Sequence, residues 1–181
     1  MNTQIVDPRA TRTRELITSA FGQLITTKNF DQITVKDITN LATINRATFY
    51  RHFLDKYELV DVMLSEKIEE IMNMHFNCLE ELNEHVIVKM FQSISQIQKC
   101  LYTNCRLDYD PFAQMIEEKI KENLSVIVDR SVQTDHHLKA TMFSWALYGA
   151  FVEWKLTSKE TIEEFAKRAS KSLLQIIHFP N

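Results

Sequence analysis

The sequence predicts an all-α protein in which an N-terminal three-helix head sits on a larger C-terminal helical bundle. Three observations carry that expectation. Two glycines and three prolines in 181 residues leave little of the turn chemistry that a sheet needs. Apolar residues, 45% of the chain, recur every three or four positions instead of alternating. The charges also separate along the chain. Residues 1–56 hold eight basic side chains (Arg9, Arg12, Arg14, Lys28, Lys36, Arg46, Arg51, Lys56) against five acids, whereas the whole chain is −3. A basic first third followed by an acidic body suits a head that offsets phosphate charge.

The length is enough to bury a core without disulfides or metal. Cys78, Cys100 and Cys105 are an odd count in no metal-ligand spacing, and no apolar leader follows Met1, so a reducing, cytoplasmic setting is expected. No run approaches the ~18 apolar residues of a spanning helix, which argues against a membrane protein.

The first helix is expected from Pro8, tolerated in a first turn, through Leu16, Ile17, Ala20, Phe21, Leu24 and Ile25, closing at Lys28-Asn29 because Asn accepts the left-handed conformation. Thr34-Val35-Lys36-Asp37 reads as a helix start, with Thr34 as cap and Asp37 as the reciprocal acid three residues on. A second start follows at Asn45, so two helices meet in a tight turn. From Lys56 a longer helix has Leu64, Ile68, Ile71, His75, Leu79 and Leu82 on one face. Further helices are expected from Val86 to Tyr102, from Asp110-Pro111 to Ile127, from His136 to Leu156 and from Thr161 to Phe179, with a loop from Thr103 to Tyr109. The helix from His136 carries two apolar stripes, Leu138-Met142-Trp145-Gly149-Val152-Leu156 and Phe143-Leu147-Phe151-Trp154. It therefore needs partners on two sides. In the last helix, Ala166 and Ala169 permit close packing.

If the helix beginning at Asn45 is the recognition helix of a helix-turn-helix, it enters the major groove N-terminus first, which favours Arg46, Ala47 and Thr48 for base edges. Arg46 suits guanine O6/N7 and Ala47 a thymine methyl. Phe49 and Phe53, four apart on the opposite face, anchor the helix in the head.

From Ile33-Thr34-Val35-Lys36-Asp37-Ile38 through Thr48-Phe49-Tyr50-Arg51-His52-Phe53 and Asp55-Lys56, the sequence resembles the tetracycline-repressor (TetR) family of bacterial regulators over roughly residues 18–64. The resemblance implies a dimer on near-palindromic double-stranded operator DNA. It also implies a contact set of Thr34, Asn45, Arg46, Ala47, Thr48, Tyr50, Arg51, His52 and Lys56. Tyr50 and His52 match phosphate-contacting positions, Tyr50 with an added base contact in some members, and Lys56 suits a further phosphate beside a helix N-terminus. Alternatives stay open: Thr34 as a cap only, Tyr50 as a packing residue, His52 as a surface histidine. Thr43 stands where the family commonly has glycine. At positive φ it would be strained by about 1–2 kcal/mol.

On these readings residues 1–55 form the DNA-binding domain, and residues 56–181 form a ligand-sensing and dimerisation domain whose last two helices pair with a second copy. The resemblance implies an unknown small-molecule effector in the body. Wall candidates are Met72, Phe76, Met90, Phe91, Phe112, Met115, Met142, Trp145 and Tyr148, all of which also fit a plain core. His75 and the pair His136-His137 are open as ligand contacts. No catalytic constellation, metal set or cofactor motif is present. The function expected is a repressor released by an apolar or amphipathic ligand. The alternative is a regulator-like interaction module with weak or no specific DNA binding.

Overall fold

The computed structural model describes residues 8–76, 81–101, 111–132 and 137–178. Among these, the elements are α1 (Pro8–Ile25), a 3-10 turn (Phe30–Gln32), α2 (Val35–Leu41), α3 (Arg46–Tyr50), α4 (Lys56–His75), α5 (Glu84–Leu101), α6 (Pro111–Val132), α7 (His137–Thr157) and α8 (Ile162–His178). All are helical, as the composition implied. The expected Leu79, the Thr103–Tyr109 loop, Cys78, Cys105, His136 and Phe179 lie outside the described residues.

Two compact units divide the chain. The first holds residues 8–64 and also 111–115, so it is wider than the head expected at 1–55. Its core gathers Ile17, Phe21, Phe30, Ile38, Phe49, Phe53 and Leu59, each at most 2% exposed. Phe112 belongs here, with its ring 6.4 Å from Phe21 and 5.9 Å from Phe30. That placement removes it from the expected ligand pocket of the body.

Local chemistry sets the head's helix boundaries. The helix α1 ends at Ile25, earlier than the expected Lys28-Asn29, and Asn29 is extended (φ −65°, ψ 144°), not left-handed. A tight turn intervenes, with the amides of Thr27 and Lys28 both donating to the Leu24 carbonyl. The helix α2 starts in a full capping box. The Asp37 amide donates to the Thr34 hydroxyl oxygen, and the Thr34 amide and hydroxyl donate to the Asp37 carboxylate. Those two donors and the Lys28 ammonium hold the Asp37 carboxyl down at about 2.

Thr43 has φ 55°. It stands just past the C-cap Ala42, and the following amide, of Ile44, donates back to the Thr39 carbonyl. This is the Schellman closure, whose left-handed position favours glycine because a Cβ crowds the backbone there. Thr43→Gly is expected to raise stability by about 1 kcal/mol, the released strain outweighing the extra entropy of glycine in the unfolded chain. Urea denaturation read by circular dichroism checks this. An unchanged or lower midpoint would mean that the turn holds no strain.

The second unit holds residues 65–76, 81–101, 116–132 and 137–178. In it α8 packs on both α5 and α7. Phe91 of α5 marks the meeting point, 6.2 Å from Phe151 of α7 and 6.1 Å from Phe165 of α8. Ala166 is fully buried, which gives the close approach that small residues allow. Thr161 and Glu164 form a second reciprocal cap at the start of α8. That cap pulls the Glu164 carboxyl below its usual range, chiefly through the Thr161 amide and hydroxyl.

Candidate nucleic-acid interface

The helix α3 is short because of its cap and its anchor. The Asn45 side chain accepts the Ala47 amide at 2.9 Å and starts the helix. The expected helix to Phe53 closes at Tyr50, yet the turn continues, since the His52 and Phe53 amides both donate to the Phe49 carbonyl. Phe49 is fully buried and lies 5.8 Å from Phe53. These two rings fix the helix in the head, as their spacing implied.

The opposite face is solvent-exposed. Asn45, Arg46, Ala47, Tyr50 and Arg51 are exposed, and Thr48 and His52 are half-buried. The side chains of Arg46 and Tyr50, one turn apart, touch, with Arg46 Nη2 donating to Tyr50 Oη at 3.0 Å. Arg14 of α1 lies over the Phe53 ring at 5.4 Å. This is a capped helix with one face locked in an apolar core and the other carrying a guanidinium pair, a methyl and a phenol.

Two residues of the expected contact set are engaged elsewhere. Both Thr34 donors meet Asp37, so Thr34 serves as a cap. Lys56 points inward: its Nζ donates to the carbonyls of Phe30, Asp31 and Ile33 at 2.9, 3.3 and 3.0 Å. It also lies 4.5 Å above the Phe30 ring. An ammonium has three donors, and all three are spent on protein. The first amides of α4 are occupied as well, because the Asp55 carboxylate accepts from Tyr57 and Glu58, while Glu58 reaches back to the Leu54 amide. The phosphate role expected for the Lys56 side chain is therefore replaced by an internal one. No local pattern announces it, since the carbonyls lie 23 to 26 residues earlier.

In the second unit a groove of about 600 Å³ runs between α6 and α7. Glu118, Glu122 and Asp129 line one side, and His137, Thr141, Ser144 and Trp145 the other. Lys121 at its floor is 7% exposed; it pairs with Glu117 at 2.9 Å and lies 3.5 Å above the Trp145 ring. Of the nine wall candidates read from the sequence, Trp145 is the one that lines this groove. Met72, Met90, Phe91 and Tyr148 are core residues, Phe76 and Met115 are half-buried, and Met142 is 54% exposed. Aromatic and methionine side chains fill cores as readily as they wall cavities, the alternative that the sequence left open for these residues. His75 meets Gln96 at 3.4 Å. Among the described residues no group of His, Cys, Asp and Glu could hold a metal ion, and no helix is long and apolar enough to cross a membrane.

The apolar stripes of α7 part company. Ala140, Phe143, Ser144, Leu147, Tyr148 and Phe151 are buried within the chain. Leu138, Met142, Trp145 and Leu156 are exposed, at 71, 54, 60 and 64%.

A capped α2, a tight turn and an α3 that turns one face to solvent define a helix-turn-helix head. Residues 10–63 match the family model described as "Bacterial regulatory proteins, tetR family". The match covers the head alone, which is thus similar to the N-terminal domain of that family. Among its relatives, the HTH-type transcriptional regulator YxbF of Bacillus subtilis (strain 168) is 38% identical over 80 residues, 44% of this chain and 21% of that protein. The dhaKLM operon transcriptional activator DhaS of Lactococcus lactis subsp. lactis (strain IL1403) is 28% identical over 129 residues, 69% of this chain and 66% of that protein. The aligned segment thus spans about a fifth of YxbF and just under two thirds of DhaS. The whole fold is similar to a TetR transcriptional regulator from Streptococcus agalactiae 2603V, with TM-score 0.64 and 19% identity over 95% of this chain and 99% of that one.

Proposed function

We propose that the chain is a dimeric, operator-binding repressor whose DNA affinity is set by a small ligand held in the body. The observation that carries this is the exposed Arg46-Ala47-Tyr50-Arg51 face of α3, backed by buried Phe49 and Phe53. In this reading Arg46 and Ala47 meet base edges, with half-buried Thr48 at the margin. Asn45, Arg51 and His52 flank them towards the phosphates.

The exposed stripe of α7 supports the dimer. Leu138, Met142, Trp145 and Leu156 put large apolar surface in water, and a two-fold partner would cover it with the same surface. Gly149 lies on this stripe, where an added Cβ would meet nothing within 4 Å in its own chain. A mid-helix glycine costs about 1 kcal/mol relative to alanine, a cost consistent with close approach by a second backbone.

For the ligand, the α6–α7 groove of about 600 Å³ is of small-molecule size. Its lining mixes the apolar surface of Val126 and Trp145 with carboxylates and hydroxyls, which favours an amphipathic over a purely apolar effector. One observation favours a second reading of the output: DhaS, similar over 69% of this chain, is an activator.

Arg46→Ala is expected to cut discrimination between the operator and single-base variants by about 1–3 kcal/mol at one position. Mobility shifts with a duplex selected from a randomised pool measure it. If Arg46→Ala keeps every base preference, α3 is not the reading helix. If the full-length protein selects no sequence at physiological salt, an interaction module replaces a DNA reader. Expression of the flanking genes in a deletion strain separates the outputs: a rise means repression and a fall means activation.

A further inference from the structure

Arg46 and Tyr50 are one turn apart on α3, and their contact assigns Tyr50 a role different from an independent phosphate contact. Arg46 Nη2 donates to Tyr50 Oη at 3.0 Å, and its guanidinium carbon lies 5.5 Å from the Tyr50 ring centroid. The Tyr50 ring in turn meets Phe49 edge-on, at 5.5 Å and 90°, and Phe49 is fully buried. A rigid path therefore runs from the core through Phe49 and Tyr50 to the guanidinium. We propose that Tyr50 is a positioning residue for Arg46, and that the pair, not either residue by itself, sets the base preference at one operator position. This rests on the reading of α3 as the base-reading helix.

A free arginine side chain samples many rotamers, and ordering it on binding opposes recognition. Tyr50 orders it beforehand. The bond to Tyr50 uses one of five guanidinium N–H donors, so four remain, of which two can meet the O6/N7 edge of guanine. The phenol accepts in this contact, and a hydroxyl oxygen is a neutral acceptor that does not cancel the arginine charge. Phosphate attraction by Arg46 is therefore unaffected by the pairing. A preorganising bond acts on geometry and discrimination, whereas a phosphate contact acts alike on every sequence.

The test is a double-mutant cycle of wild type, Tyr50→Phe, Arg46→Ala and both together. Each full-length protein is titrated against a duplex selected from a randomised pool and its single-base variants at several salt concentrations. Tyr50→Phe keeps the ring, its contact with Phe49 and its face towards the guanidinium, and removes the hydroxyl alone. Thermal melts of the four proteins show whether the fold is held constant. The expected result is a loss of about three- to tenfold in preference, confined to the base pair whose preference Arg46→Ala abolishes. The salt slope should stay unchanged, and Tyr50→Phe should have no further effect once Arg46 is gone.

Uniform weakening on all sequences, equal with and without Arg46, would make Tyr50 an independent backbone contact and overturn the proposal. So would Tyr50→Phe binding like wild type while Arg46→Ala loses discrimination. If Arg46→Ala itself changes no base preference, the reading of α3 fails first, a result distinguishable from failure of the pairing.

Discussion

Leu138→Glu combined with Met142→Glu is expected to turn the proposed dimer into monomers and to reduce operator affinity steeply, while leaving each chain folded. Both side chains are largely exposed in the single chain, at 71 and 54%, so a carboxylate at either position stays hydrated there and disturbs no packing. In a two-fold interface each substitution occurs twice, which places four charges on an apolar contact. Burying a polar group without a partner costs about 1–3 kcal/mol by mutational measures, and more for a charge. Four such groups correspond to a dimer weakened by about a thousandfold or more. Sedimentation velocity reads the change in mass, and circular dichroism reads the intact helices. Operator binding should fall to that of one head on one half-site, because linked half-sites bind as a unit. A variant that sediments like the wild type would show that this stripe of α7 faces something other than a second copy.

How much of this was legible in the sequence depends on how far apart the interacting groups are. The caps at Thr34-Asp37 and Asn45 are chemistry within three residues, and both form as read. The positive φ at Thr43 was legible as a condition, because the closing turn of α2 is local and the resemblance commonly puts glycine there. The anchoring of α3 by Phe49 and Phe53 follows from their spacing of four. Long-range placement was not readable. Phe112, at the start of a helix assigned to the body, packs with Phe21 and Phe30, since nothing in an apolar periodicity states which core a face will join. The wall candidates show the same limit: Met90 and Phe91 are as apolar as a cavity wall and are completely buried. The groove is instead marked by Glu118, Asp129 and Thr141, polar residues that no apolar pattern singles out.

Lys56 is the clearest case of a residue whose type was read correctly and whose role was not. A lysine at the first position of α4 looks like a phosphate contact, since the helix dipole and its own charge both attract anions. In the folded head its ammonium closes the carbonyl ends of the 3-10 turn at Phe30, Asp31 and Ile33, tying the start of α4 to the segment before α2. The two roles predict opposite results for Lys56→Met, which keeps most of the apolar stem. As an internal tie, its loss strands three carbonyls, of which those of Phe30 and Ile33 belong to residues only 1% exposed. Hydrogen bonds from a charged donor contribute about 1.5–3 kcal/mol each. Water will reach part of the gap, so the expected destabilisation is about 2–4 kcal/mol. Because no phosphate partner is removed, the slope of log affinity against log salt should keep its wild-type value for the folded fraction. A phosphate contact would instead leave the denaturation midpoint in place and reduce that slope by about one. Urea denaturation and a salt titration on the same variant decide between them. Full stability with a shallower slope would return Lys56 to the DNA surface.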